Sequence, residues 1–160
     1  MLFRSKTSAG ELLQYGPTAE VFHKPKSLRV ARAFSDPPMN FLAASAGAGS
    51  VQLDDGPTWN LQLPGTTSHR LTVGLRASAL RVSAGEGDVC LIGTVELAEI
   101  SGSDTFVHVA TQVGEVVAQL TGVHYFDLGA QVSLYFNPAQ IYVFDAAGLL
   151  LLAPVRGGGR

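Results

Sequence analysis

Apolar and polar positions alternate with a period of two over most of the chain beyond Pro38. His69–Arg76 shows this most cleanly: Leu71, Val73 and Leu75 fall on one face of a strand, with polar or small residues between them. Phe41–Ala44, Val51–Leu53, Trp59–Leu63, Leu80–Val82, Val89–Leu97, Thr105–Thr111, Glu115–Leu120, Gln131–Phe136, Ile141–Phe144 and Leu149–Leu152 read as further strands. Asp55-Gly56-Pro57, Pro64-Gly65, Gly85-Glu86-Gly87, Ser101-Gly102-Ser103-Asp104, Val113-Gly114 and Asn137-Pro138 punctuate them as turns. Short strands at this spacing predict a closed or nearly closed antiparallel barrel or sandwich. The first forty residues differ. Gly16-Pro17 opens a predicted helix that Pro25 stops, and Leu28, Ala31 and Phe34 give a second over Lys26–Phe34, broken by Asp36-Pro37-Pro38.

Composition narrows the function classes. A chain of 160 residues supports one core, and only 15% of them are charged while Gly reaches 18, which suits a turn-rich all-β domain. A net charge of -2 gives no general attraction for phosphate backbones, so nucleic acid is not an expected partner. The single cysteine, Cys90, lies in the apolar run Val89–Ile92 and reads as a buried free thiol in a reducing compartment. Arg4 follows Met1-Leu2-Phe3 at once, so the apolar region of a secretory signal is absent and export is not indicated. The apolar stretch from Gly148 to Val155 falls short of a bilayer span and reads as a buried strand.

No constellation of catalytic or metal-binding residues emerges. His23, His69, His108 and His124 are widely spaced, without HExxH or CxxC patterns, and are read as structural or exposed. No GxSxG surrounds any serine. Glu96 and Glu99, three apart in a strand, are expected on opposite faces and so not as an acid/base pair. Ala46–Ser50 lacks the lysine of a phosphate loop, and Gly85–Asp88 sets two carboxylates where phosphate would sit, so both read as turns. Thr66-Thr67-Ser68 with Arg70 is the one local candidate for a small-ligand site, with an exposed loop as the plainer reading. Catalytic, cofactor and metal residues are therefore assigned as none.

Several separated segments resemble one family. Gly10-Glu11-Leu12-Leu13-Gln14-Tyr15-Gly16, the aromatic-Pro ending Phe22-His23-Lys24-Pro25, Val30-Ala31 and Pro38-Met39-Asn40-Phe41 are similar to the stretch leaving the nucleotide-binding domain in ABC importer ATPase subunits of the maltose and glycerol-phosphate type. Gly74-Leu75-Arg76 resembles that family's G-h-R strand end. Gly93-Thr94-Val95 through Glu99, Gly102, Asp104-Thr105 and Val109 resembles its G-x-V-x-x-x-E-x-x-G-x-[ED]-T hairpin, and Val143-Phe144-Asp145 with Gly148 resembles its closing h-F-D-x-x-x-G. The order holds from Gly10 to Leu152. The usual R-P-E is Arg76-Ala77-Ser78 here.

The resemblance implies an all-β, OB-like antiparallel barrel of the TOBE type, with short N-terminal helices. Residues 1–36 would be the remnant of, and linker from, a nucleotide-binding domain, 37–155 the barrel, and 156–160 a disordered tail. The implied role is non-catalytic: a C-terminal regulatory and dimerisation domain of an importer's ATP-binding subunit for sugars or sugar phosphates. ATP and Mg would belong to the nucleotide-binding domain, leaving no cofactor in this chain. Implied partners are a second copy, membrane permease subunits reached through the ATPase domain, and a regulatory protein, on the cytoplasmic face of the membrane. The alternative is a small-ligand module of the oxyanion-binding kind.

Overall fold

The computed structural model describes residues 39–64 and 69–154, Ser27, and four two-residue strands near the N-terminus. Those four, β1 (Leu2–Phe3), β2 (Thr7–Ser8), β3 (Glu11–Leu12) and β4 (Gly16–Pro17), pair antiparallel as β1 with β4 and β2 with β3. Gly16–Pro17 is therefore extended where a helix start was expected, and Ser27 forms a β-bridge with Leu149 within the second predicted helix. The rest of both helices, and the 156–160 tail, lie outside the described residues.

Ten strands build the barrel: β5 (Asn40–Gly47), β6 (Ser50–Leu53), β7 (Thr58–Asn60), β8 (Arg70–Leu75), β9 (Val89–Ser101), β10 (Asp104–Thr111), β11 (Gly114–Thr121), β12 (Gln131–Phe136), β13 (Tyr142–Phe144) and β14 (Leu150–Leu152). They form a six-stranded sheet ordered β14-β13-β8-β5-β6-β7 and a four-stranded sheet ordered β11-β10-β9-β12. All pairs are antiparallel. One core fills the space between the sheets, drawing Val51, Leu53, Val73 and Leu75 from the first and Leu91, Val95, Val107, Leu134 and Phe136 from the second. The fold is all-β, as the alternation predicts, and OB-like, as the family resemblance implies.

The predicted strands recur within a few residues, with three instructive differences. Leu80–Val82 is not a strand: a 3-10 turn at Ala77–Ala79 precedes it, and only Arg81 pairs, in a single bridge to Tyr135. Trp59–Leu63 stays in strand conformation only to Asn60, although Leu61 and Leu63 still pack on the core. Leu150–Leu152 is a half-buried edge strand and not a buried one, since Ser27 is the only described residue bridged beyond it, through the exposed Leu149.

Two seams join the sheets. At one, the Asn40 carboxamide donates to Val117 O and accepts from Val117 N, both at 2.9 Å, so a side chain on β5 takes the place of a strand beside the edge of β11. At the other, Arg81 and Tyr135 exchange backbone hydrogen bonds of 2.9 and 2.7 Å, tying the segment after β8 to β12. Trp59 meets Phe136 edge-on at 5.6 Å across the core between the two sheets.

Candidate interaction surface

The residues carrying the sequence motifs have structural occupations. Thr105, fully buried, donates its hydroxyl to Gly122 O (2.8 Å) and accepts from His124 N (3.0 Å). Beside it Asp104 accepts from the Gln119 amide. Asp145 Oδ1 accepts from Ala147 N and Leu149 N and closes the β13–β14 turn, where Gly148 takes a positive φ of 85°. Arg76 lies over the Tyr142 ring and donates to its hydroxyl. These residues position backbone and rings; their polar atoms face other parts of the same chain.

Part of what the barrel leaves uncovered is apolar. Thr105 pins the start of the segment joining β11 to β12, and Gly129 N to Val95 O (2.8 Å) pins its end. Between these anchors Tyr125 is 87% exposed and Leu128 70%, with Val123 also exposed. Ile100, exposed on β9, is the register partner of Thr105, and Gly122 N bonds Ser103 O, so the β9–β10 hairpin end and this loop stand side by side. A held loop presenting aromatic and aliphatic side chains suits contact with another surface. β9 also exposes Ile92, Leu97 and Ile100, whereas on β12 Leu134 and Phe136 are fully buried, with Tyr135 between them on the other face. The Val123–Leu128 loop had no periodic signal, since Val-His-Tyr-Phe-Asp-Leu matches neither helix nor strand spacing.

On the outer face of the four-stranded sheet, the expectation for Glu96 and Glu99 is overturned. The pairing of β9 with β10 slips between His108 and Val109, so that Leu97 opposes His108 and Val95 opposes Val109, leaving Glu96 as an extra residue. The bulge resets the alternation, and both glutamates come to the side of His108: Glu99 Oε1 lies 3.8 Å from His108 Nε2, and Glu96 hydrogen-bonds Glu115. That hydrogen bond, then burial and the Glu115 charge, hold the Glu96 carboxyl above its ordinary value against the opposing pull of His108. The folded state thus grips this proton more tightly than the unfolded chain does. Its contribution to stability is full below the ordinary carboxylate pKa and is lost as pH rises through the raised one. Glu96→Gln should therefore flatten the fall of Tm between acidic and neutral pH and raise Tm slightly at neutral pH. A profile parallel to the wild type would show that the two carboxyls do not share a proton.

The other candidates are placed as follows. Arg70 forms a fork with the Asp54 carboxylate, at 3.2 and 2.7 Å, and this partner holds the Asp54 carboxyl below its ordinary value. Thr66–Ser68 lie outside the described residues, as does His23. Cys90 is free but half-buried, because it falls on the outward phase of β9. Ala48-Gly49 and Glu86-Gly87 are turns, as read. Among the described residues no three His, Cys, Asp or Glu side chains could jointly hold a metal ion, and no helix is long and apolar enough to cross a membrane.

Comparison with known proteins decides the family. Residues 73–144 match the TOBE domain family. The chain carries a TOBE domain. It is 32% identical over 145 residues to the sn-glycerol-3-phosphate import ATP-binding protein UgpC of Chromohalobacter salexigens, covering 88% of this chain and 39% of that protein. It is 29% identical over 150 residues to the alpha-glucoside transport ATP-binding protein AglK of Rhizobium meliloti, covering 88% of this chain and 41% of that one. The TOBE chain thus spans about two fifths of the length of these relatives. Among solved structures, the cytoplasmic molybdate-binding protein ModG aligns over 69% of this chain and 95% of its own, at 16% identity and a TM-score of 0.48.

Proposed function

We propose that this TOBE chain is the non-catalytic, C-terminal regulatory and dimerisation domain of the ATP-binding subunit of an ABC importer for sugars or sugar phosphates. The observation that carries the reading is the likeness, over 88% of the chain, to import ATP-binding proteins for glycerol phosphate and alpha-glucosides. The occupations of Asn40, Thr105 and Asp145 support it, because these motif side chains bond backbone groups of the same chain and so build the barrel. In this reading residues 1–36 lead from a nucleotide-binding domain, which supplies ATP and Mg chemistry and reaches the permease subunits at the cytoplasmic face of the membrane. The domain itself works by contact with a second copy, and with a regulatory protein, through its uncovered apolar end.

Two measurements test this. The chain should show no saturable heat with ATP and Mg by calorimetry, and micromolar affinity would overturn the non-catalytic assignment. In sedimentation the chain should self-associate, and the double variant Tyr125→Ser/Leu128→Ser should weaken the association at least about tenfold at unchanged Tm, since exposed anchors contribute to binding and not to the core. Equal association by the variant would remove the loop from the interface. A monomeric full-length subunit would end the dimer reading.

A further inference from the structure

The geometry points to a binding site for a small neutral polyhydroxy compound in the crevice at the Arg81–Tyr135 seam. The crevice has a volume of about 380 Å³, at the small end of the range for small-molecule sites, and is lined by Ser78, Arg81, Glu86, Asp88, Asn137 and Gln140. Two 3-10 turns frame it, Ala77–Ala79 after β8 and Pro138–Gln140 after β12. The backbone bridge between Arg81 and Tyr135 fixes their spacing.

Its central cation is held in place from below. Asp88, whose side chain is only 3% exposed, pairs with Arg81 Nη2 and also accepts from Gly85 N at 2.7 Å. Arg81 Nη1 donates to Ser83 O at 3.2 Å. A side chain at position 85 would crowd this arrangement, because a Cβ there would stand 3.1 Å from Asp88 Oδ2 and 3.4 Å from Arg81 Nη1. A guanidinium carries five N–H donors, so two fixed bonds orient it and leave donors over. Asn137 uses its carboxamide oxygen to accept from Ala139 N at 2.9 Å, which leaves its NH₂ group to donate. The Ser78 hydroxyl and Glu86 carboxylate have no partner among the described residues.

The wall chemistry selects the class of ligand. Arg81 is neutralised by Asp88, and Glu86 adds a negative charge, so an oxyanion would meet net repulsion. The guanidinium has donors only and offers a cation no lone pair. Donors from Arg81 and Asn137 stand among acceptors from Glu86 and Ser78, and a hydroxyl group, which both donates and accepts, is the ligand group that satisfies both kinds. Among the described residues no aromatic side chain lines the crevice, so affinity would rest on hydrogen bonds and fall on the order of 1 mM. The site does not depend on the transporter reading.

Titration of the isotope-labelled chain with D-glucose, sorbitol, inorganic phosphate and molybdate, followed by amide chemical shifts, tests the assignment. Glucose or sorbitol should produce saturable shifts confined to residues 78–88 and 137–140, and phosphate and molybdate should not. Glu86→Gln, an exposed change that leaves the Arg81–Asp88 pair intact, should weaken the polyol about tenfold, the loss of one charge-assisted hydrogen bond. Non-saturating shifts with both polyols, saturation by either oxyanion at these residues, or undiminished polyol binding by Glu86→Gln would each overturn the proposal.

Discussion

Gly93→Ala should destabilise the domain by about 3 kcal/mol, measured by denaturant unfolding with an unchanged m-value. In an interior strand position with room for a methyl group, alanine is favoured over glycine by about 0.5–1 kcal/mol, because glycine loses more freedom on folding. Here the sign reverses. A Cβ on Gly93 would stand 2.4 Å from Ala110 O, 2.6 Å from Val109 Cγ1 and 2.9 Å from Thr111 Cγ2. The nearest obstacle is a backbone carbonyl of the neighbouring strand, which cannot rotate away, so β9 and β10 would have to part at the middle of the four-stranded sheet. Gly74→Ala provides the internal comparison. Its nearest neighbour would be Met39 Sδ at 2.6 Å, the end of a flexible side chain, and it should cost less than the Gly93 change. Equal costs at the two positions would refute the steric account. The same geometry explains the glycine that opens the Gly93–Val109 hairpin motif.

The strand periodicity was legible because the core is one-sided. Leu71, Val73 and Leu75 alternate cleanly since β8 buries them against the four-stranded sheet, and Gln131–Phe136 is read to the residue. Legibility failed where something other than side-chain burial sets the backbone. The bulge at Glu96 is specified by pairing with β10, so local sequence put Glu96 and Glu99 on opposite faces when tertiary register brings both toward His108. Leu80–Val82 has strand composition, yet after the 3-10 turn at Ala77–Ala79 only Arg81 finds a partner, in a single bridge to Tyr135 on the edge strand β12. The exposed loop at Tyr125 and the crevice at Arg81 were both invisible for a related reason. Each is assembled by anchors distant in sequence, Thr105 and Val95 for the loop and Asp88 and Tyr135 for the crevice.

Asn40→Leu is expected to cost about 2 kcal/mol and to expose a new edge for association. Asn40 is largely buried, and its carboxamide is the partner of both the N–H and the C=O of Val117, which point away from β10 at the rim of the four-stranded sheet. Leucine has the same branched heavy-atom skeleton and leaves no cavity but removes both hydrogen bonds, so the loss measures mainly polar satisfaction. Asn40→Asp separates the two bonds. At neutral pH the carboxylate can accept from Val117 N but sets a charge against Val117 O, so the variant should be as unstable as Asn40→Leu. At acid pH the protonated carboxyl again donates and accepts like the amide, and its deficit relative to wild type should shrink, while that of Asn40→Leu stays constant. An Asp variant whose deficit does not change with pH would show that Asn40 only fills space. The unpaired Val117 groups in the leucine variant would offer a strand edge to any extended segment, so that variant should also aggregate faster on heating. The Asn40 carboxamide therefore joins the two sheets and closes an edge.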